Sequence, residues 1–488
     1  WDWGSLGVQL KRNIMHAWWR FWVENRPDIY GVDAAILMNQ KVWQASGHVK
    51  TFADPLVEDL VNHRRYRADH LLKDAGEKVD GLSADQLNEL IKSKNIKSPD
   101  GNPLSEVRQF NMMFKSNVGA TTFDSLQESK KIMRQDFNPA LRYENDLLNQ
   151  TSSDYIKDNA DVAMSLLQAE AKQKMDLAKV LNNSEESDKS SRVYLRPETA
   201  QGIFTNYKNV VDSLYPDLPF GLAQQGKAFR NEISPRDFIF RSREFEQMEI
   251  EYFVDPKNWE EEFDKLLKDV HKFLEEVIGL PKAMIHELDV PAADRAHYSQ
   301  KTIDIEFDYP IGREELMGLA YRTDFDLMNI QNATGKSMEY RPKDGSPALV
   351  PHVIEPSFGV ERLVMAVLTA FYQTDEIGGD KRNVLRLPTN LAPQLATVSP
   401  LLKNKPELVK MARDVFDILQ KVFPGRIGWD DSGNIGKRYR KADEIGVPAC
   451  VVVDFDSLTG NDATVRDRDS AKQTRVKIDQ LVEYLKKL

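Results

Sequence analysis

The stretch "AFRNEISPRDFIFRSREFEQMEIEYF", Ala228 to Phe253, decides the fold. Arg230, Arg236, Arg241 and Arg243 crowd into it, in a chain whose net charge is −10. A solvated helix face could hold such charges, but the spacing here is that of a strand. From Ser242 to Tyr252, Arg243, Phe245, Gln247, Glu249 and Glu251 fall on one side. Glu244, Glu246, Met248, Ile250 and Tyr252 fall on the other, as a two-residue period requires. Upstream, "FGLAQQGKAFRNE" is a second extended run, and "ISPRDF" supplies the Pro and Asp of a turn. The segment is predicted to be an antiparallel hairpin studded with guanidinium groups.

The size and composition of the chain narrow what such a hairpin can serve. At 488 residues the chain exceeds the ~250 to 300 at which one core stops growing, so two or more domains are expected. A hydrophobic content of 41% with 9% aromatics is that of a globular protein. No run approaches the ~18 apolar residues that span a bilayer, so no membrane association is expected. Cys450 is the only cysteine, which excludes intrachain disulfides and zinc sites built from several thiolates, and points to a reducing, cytoplasmic compartment. Residues 385–488 hold 18 Lys and Arg against 14 Asp and Glu, leaving 48 against 62 for the rest. The basic end is the one expected to meet a polyanion.

The pattern along the chain gives the layout. An amphipathic helix is expected over "LGVQLKRNIMHAWWRFWV", then a strand-like "AAILMNQKVW". Residues 62–189 turn polar and mix short helical patterns, among them "SADQLNELIKSK" and "NADVAMSLLQAEAKQKMDLAKVL", with loops such as "KSPDGNP" and "NNSEESDKSS". A strand-rich block resumes at "VYLRPETAQGIF" and is interrupted by the helix "NWEEEFDKLLKDVHKFLEEVIG". It closes with "PALVPHVIEPSFGVERLVMAVLTAF", read as strand, tight turn and apolar helix. After it come the helix "PELVKMARDVFDILQKV", a strand, a loop, the strand "ACVVVDF" and a final helix "QTRVKIDQLVEYLKKL", a small α/β domain. The boundaries are 1–384, with insertions at about 62–110, 121–190 and 256–300, and 385–488.

What is absent narrows the chemistry. "NATGKS", Asn332 to Ser337, ends like a phosphate loop but has Ile330 where the loop needs glycine. No G-x-G-x-x-G follows a strand, no H-E-x-x-H occurs, and the histidines do not pair at ligand spacing. The arginine hairpin and the strand-turn-helix ending in Arg362 remain. Planar guanidinium forks fixed at a sheet edge neutralise phosphates without a phosphate loop. Neighbouring carboxylates hold Mg²⁺ or accept from an amino group. Cross-strand ion pairing on a wet sheet is the plainer alternative.

The pattern as a whole resembles a known family. "FRNE", a loop, and Arg241 with Phe245 four positions later resemble motif 2 of the class II aminoacyl-tRNA synthetases, and "GVERLVMAVL" resembles motif 3. "LRPETAQGIF", "YRTDFDL", "HVIEPSFGVER", "GNIGKRYRKADEIG" and "TVRDRDS" are similar to successive blocks of the dimeric-type glycyl-tRNA synthetases along the whole chain. The resemblance implies an α+β fold: a mostly antiparallel catalytic sheet flanked by helices, with polar insertions, plus a C-terminal anticodon-binding α/β domain. It also implies ATP-dependent activation of glycine and its transfer to the 3′ end of tRNA(Gly), by a homodimer.

Roles carry over by position. Arg230, Arg241 and Arg362 are the implied catalytic phosphate ligands, Arg230 at the α-phosphate and the other two at the γ-phosphate end. Asn231, Glu232, Phe240, Arg243, Phe245, Glu315, Leu316, Gly359 and Glu361 complete the implied ATP site, with Glu232 at the adenine amino group. The adenine is expected between Phe245 and Arg362, a flat ring against a flat cation. Arg67, Glu198, Phe245, Gln247, Glu249, Glu355 and Ser357 are the implied glycine site, and Glu315 and Glu355 stand nearest Mg²⁺ brought by ATP. Lys437, Arg438, Arg440 and Lys441 are the expected tRNA contacts, in a glycine-punctuated loop. The indoles of Trp18 to Trp22 are expected to offer apolar surface to a second copy.

Two departures stand out. The opening "WDWGSLGVQL" resembles "YDYGPLGVEL" without the residues that precede it in the family, so an N-terminal piece is expected before Trp1. About seventy residues before "VYLRPETA" have no counterpart in compact members. Some members carry a cysteine zinc site near Arg67; with one cysteine, no zinc is expected here. Two other readings are a non-catalytic relative kept as a nucleic-acid-binding or accessory module, and a different adenylate-forming enzyme. The joint presence of Arg230, Glu232, Arg241, Phe245 and Arg362 weighs against the first, and the C-terminal domain against the second.

Overall fold

A computed structural model of the chain describes residues 2–79, 82–118, 192–233, 235–377 and 379–488. The helix expected at "NADVAMSLLQAEAKQKMDLAKVL", the loop "NNSEESDKSS" and the insertion at about 121–190 lie outside them. Cα packing divides the chain into two units. The smaller one takes 36–52 and 113–197. Its described part is a three-stranded sheet, Leu37–Asn39, Arg192–Leu195 and Lys115–Asn117, around Met38, Trp43, Met113 and Tyr194. The sequence stretch read as one strand from Ala34 is there a short strand followed by the helix Gln40–Ala45, capped by Asn39, whose side chain accepts from the Lys41 N–H. An Asn cap at the end of the apolar run Ala34–Met38 outweighs strand propensity.

The larger unit holds the predicted hairpin. Phe220–Phe229 and Glu244–Val254 pair antiparallel from Phe220↔Phe253 to Phe229↔Glu244. They sit inside a seven-stranded sheet ordered Ile29–Gly31, Phe220–Phe229, Glu244–Val254, His352–Gly359, Gly312–Thr323, Lys301–Tyr309, Ile285–Asp289. Only the first pair is parallel. The two-residue period then sorts the side chains of Glu244–Val254. Met248, Ile250, Tyr252 and Val254 enter the main core, where Trp18, Trp22 and the helix Val360–Phe371 also pack. On the opposite face Phe253 joins Phe204, Tyr207 and Phe220 under the helix Ala200–Leu214. Phe245, Gln247 and Glu249, further back along the same side, line an open cleft. One strand thus bridges core and cleft.

The first helix, Ser5–Trp19, runs into a π-helical turn, Arg20–Glu24. Trp18 and Trp22 are both 0% exposed and Trp19 packs part-buried against the same core, so the indoles of Trp18 and Trp22 are core and not a surface for a second copy. A four-residue spacing put them on the inward stripe with Leu10 and Ile14.

The insertion before Arg108 is a three-stranded sheet, Arg65–Arg67, Ala53–Glu58 and Arg108–Asn111, backed by helices Ala68–Asp74 and Ala84–Ser93. Its two loops are tied by Asp59. Its buried carboxylate accepts from Ser98 Oγ (2.6 Å), Asn102 Nδ2 (3.1 Å) and the N–H groups of Val61 and Asn62. Burial alone would raise its pKa; these donors hold it down to about 2.

The C-terminal domain is a five-stranded sheet ordered Ile427–Trp429, Ala396–Pro400, Ala449–Val453, Asp462–Asp467, Gln473–Lys477, parallel over the first three. Two sequence expectations change here. Gln473–Lys477 is a strand, and the last α-helix is only Leu481–Leu485; alternation in "QTRVK" fits the free edge beside Asp462–Asp467. The segment expected as a glycine-punctuated loop is the helix Ile435–Glu444, capped by Asn434. "NATGKS" is the end of the helix Phe325–Thr334, closed by Gly335 at φ 68°.

Candidate active site

The cleft has a volume of about 500 Å³ and lies wholly in the larger unit. Arginines gather at one end. Arg230 leaves the strand Phe220–Phe229, its N–H on the Arg243 carbonyl (2.9 Å), and its guanidinium carbon lies 5.3 Å from the Phe245 ring centre. Arg362, on the first turn of the helix Val360–Phe371, donates to the Glu315 carbonyl (3.0 Å) and pairs with its carboxylate (3.1 Å). It stands 4.6 Å from the Phe240 ring centre. Burial would lower its pKa, but Glu315 raises it, so the cation is fixed. The cation over Phe245 is therefore Arg230, and the ring under Arg362 is Phe240. A turn with Asp237 and Phe238 at φ 59° and 55° brings Phe240 against Arg362, and Phe245 and Arg362, between which the adenine is expected, both line the cleft.

Carboxylates gather at the other end. Glu249 is 2% exposed and accepts from Ser357 Oγ at 2.7 Å and from Thr199 Oγ1. Gln247 Nε2 reaches Ser357 Oγ at 3.3 Å. Burial and then Glu198 raise the Glu249 pKa. Behind them Arg322, also buried, bonds Asp326 Oδ2 and Glu355 Oε1, both at 2.8 Å, with Tyr298 3.8 Å away across its face. Thr323 at φ 58° and the register shift beside it turn the chain so that Arg322 meets Asp326 one helical turn on. One guanidinium thus serves a group that includes Glu198, Glu249, Glu251, Glu355 and Asp326. Neither oxygen of Glu251 has a hydrogen-bond partner among the described residues, and burial and then Glu355 drive its pKa well up. A pocket of surplus negative charge is a receptor for an ammonium group.

The expected site residues divide clearly. Arg67, Glu198, Glu232, Arg241, Glu315, Gly359 and Glu361 line the cleft beside those already described. Arg67 is held by Asp54 (2.9 Å) and Asp69 (2.7 Å). Asn231, Arg243 and Leu316 are not brought to the cleft wall. The Asn231 N–H goes to the Met112 carbonyl, Arg243 Nε clamps the Glu232 carbonyl, and Leu316 is buried in the core beneath the sheet. Glu355, expected near a metal, bonds Arg322 and lies with Glu249 and Glu251, whose carboxylate oxygens come within 4.8 Å of one another and could share an ion. Glu315, expected near Mg²⁺, lines the cleft with Asp304 beside it, and carboxylates are the hard oxygens that Mg²⁺ prefers. Asp304 and Arg322 were missed in the sequence. Burial and then Glu315 push Asp304 up to about 7.

Comparison with known proteins decides the family. The profile described as "tRNA synthetase class II core domain (G, H, P, S and T)" matches residues 179–371, and that described as "Anticodon binding domain" matches 396–488. A glycine–tRNA ligase of Mesoplasma florum is 37% identical over 100% of this chain and 93% of its own. Those of Clostridium tetani and Deinococcus radiodurans are 38% and 39% identical, each over 99% of this chain and 92% of their own. The chain belongs to the glycine–tRNA ligase family. The class II synthetase fold that the resemblance implied is thereby confirmed, and the cleft residues from Glu198 to Arg362 fall within the core-domain match. No described helix is long and apolar enough to cross a membrane.

The tRNA contacts expected in the ligase's C-terminal domain fare unevenly. Arg438 is 5% exposed and spends its guanidinium on the carbonyls of Pro400, Asp431, Ser432 and Gly433. It pins a loop and is not a phosphate contact. Arg440 pairs with Asp380 and Lys441 with Asp430 at the surface, and Lys437 is exposed.

Proposed function

We propose that this chain activates glycine with ATP and transfers it to the 3′ end of tRNA(Gly). The observation that carries the reading is one cleft with fixed cations at one end and buried, surplus carboxylates at the other. The triphosphate lies along Arg230, Arg241 and Arg362, with Glu232 beside the adenine. The glycine ammonium meets Glu249, Ser357 and Glu198, and its carboxylate faces the α-phosphorus. In-line attack forms the mixed anhydride and expels pyrophosphate, and a terminal ribose hydroxyl of tRNA then takes the glycyl group, releasing AMP.

No protein nucleophile is required. Rate comes from positioning and from donors aimed at charge developing on the α-phosphate. Mg²⁺ accompanying ATP would neutralise phosphate charge near Glu315 and Asp304. Selection for glycine rests on excluded volume, since a larger side chain meets the crowded, rigid wall around Ser357 and Gln247. The domain from about residue 385 reads the tRNA, and the enzyme works in the cytoplasm. Assembly of two copies belongs to the same reading and rests on the family resemblance, no longer on the indoles.

The test is glycine-dependent exchange of pyrophosphate into ATP without tRNA. Arg230→Ala should lower it by more than tenfold, one lost donor costing ~3 kcal/mol, with an unchanged melting curve. Exchange at the wild-type rate in that variant would refute the assignment of Arg230.

A further inference from the structure

With Arg438 spent inside the fold, the C-terminal domain needs another place to hold RNA, and an aromatic stack at its sheet edge has no part in the chemistry described so far. Trp429 ends the edge strand Ile427–Trp429. Arg413, on the helix Pro406–Val422, sets its guanidinium carbon 3.5 Å from the indole ring centre. Phe416, one turn further along that helix, meets the indole edge-on at 6.0 Å. The indole N–H donates to Asp431 Oδ2 at 3.1 Å. The ring is thus held from three directions and cannot turn freely.

Arg413 is exposed while Trp429 is half-buried. Arg413 thus carries its cation to the surface while held against the indole. The residues that follow Trp429 are acidic: Asp430 pairs with Lys441, and Asp431 takes the indole N–H. Flat cations and aromatic rings are what unpaired bases stack on in RNA loops, and nearby carboxylates accept from exocyclic amino groups.

We propose that the Arg413–Trp429 stack is the platform on which this domain seats an unpaired base of an RNA loop. The proposal deepens, and rests on, the reading of the chain as a tRNA ligase. Arg413 supplies the outer face, and Trp429 holds that face flat. Stacking needs planarity as well as charge, so lysine at position 413 should not replace arginine.

The test is fluorescence anisotropy of the full chain with a labelled RNA stem-loop of the tRNA(Gly) anticodon arm, and with the same stem closed as a blunt duplex. Arg413→Gln, Arg413→Lys and Trp429→Leu should each weaken stem-loop binding by roughly tenfold, and Trp429→Phe should restore most of it. Duplex binding and tRNA-independent glycine exchange should stay at wild-type level. Wild-type stem-loop affinity in Arg413→Gln, or an equal loss on the duplex, would overturn the proposal. Should Trp429→Leu lose the domain's melting transition, Arg413→Gln, which leaves the indole in place, decides alone. Arg413-sensitive stem-loop binding in a wild-type chain that shows no glycine exchange would uphold the platform while removing the ligase reading beneath it.

Discussion

Glu361 shows how a single side chain in this cleft couples to protons. It accepts from the Glu246 N–H at 2.9 Å, and burial pushes its pKa from 4.5 up to about 7. A carboxyl raised in the folded state contributes stability that is complete below its unfolded pKa and is lost as pH rises through the folded one. Between about pH 4.5 and 7 the wild type should therefore lose stability that Glu361→Gln, which keeps the acceptor, does not. The expected gain of the variant at pH 8 over its gain at pH 4 is on the order of 1 to 3 kcal/mol. Thermal melts of both proteins across that range check it, and parallel pH profiles would contradict it. At this scale Phe245, Gln247 and Glu249 were legible because alternation puts them on one face, while Arg230, Arg241 and Arg362 were legible through the resemblance. Asp304 and Arg322 were not. Asp304 depends on Gly318 and Glu315 across the sheet, and Arg322, besides its local partner Asp326, depends on Glu355 from the neighbouring strand, which no local spacing encodes.

Among the elements, the first helix carries the clearest consequence. Trp18 and Trp22 meet Phe358 and Phe273 inside the core, so Trp18→Ala should cost about 3 to 5 kcal/mol of stability through the cavity left behind. The mass of the folded species should not change. A variant that melts like the wild type but sediments as a smaller assembly would restore the indoles to an interface. Long periodic elements were read correctly, the helix Pro406–Val422 and the hairpin among them. Errors fell where a cap or a sheet edge overrides composition. Asn39 and Asn434 start helices in stretches read as strand and loop, and an open sheet edge turns "QTRVK" from helix to strand.

For the whole molecule, charge is the organising quantity: an acidic body carries a basic end of 18 Lys and Arg against 14 Asp and Glu. That asymmetry was legible in the sequence, but which cations remain available for RNA was not, since Arg438 is consumed by main-chain carbonyls. Arg438→Ala should consequently lower the melting temperature of the C-terminal domain. Lys437→Ala should leave melting intact and make the salt dependence of tRNA binding shallower by about one unit of slope if that ammonium meets a phosphate. An Arg438→Ala variant with wild-type stability would contradict the geometry of that loop. The central claim is that a cationic end and an anionic end of one cleft join glycine to tRNA. The most direct measurement is charging of tRNA(Gly) by the purified chain with labelled glycine, alanine or serine, each with ATP and Mg²⁺. The account predicts ATP-dependent label on tRNA with glycine and background with the other two. Equal charging by alanine, or no charging by glycine from a chain that binds ATP, would contradict it.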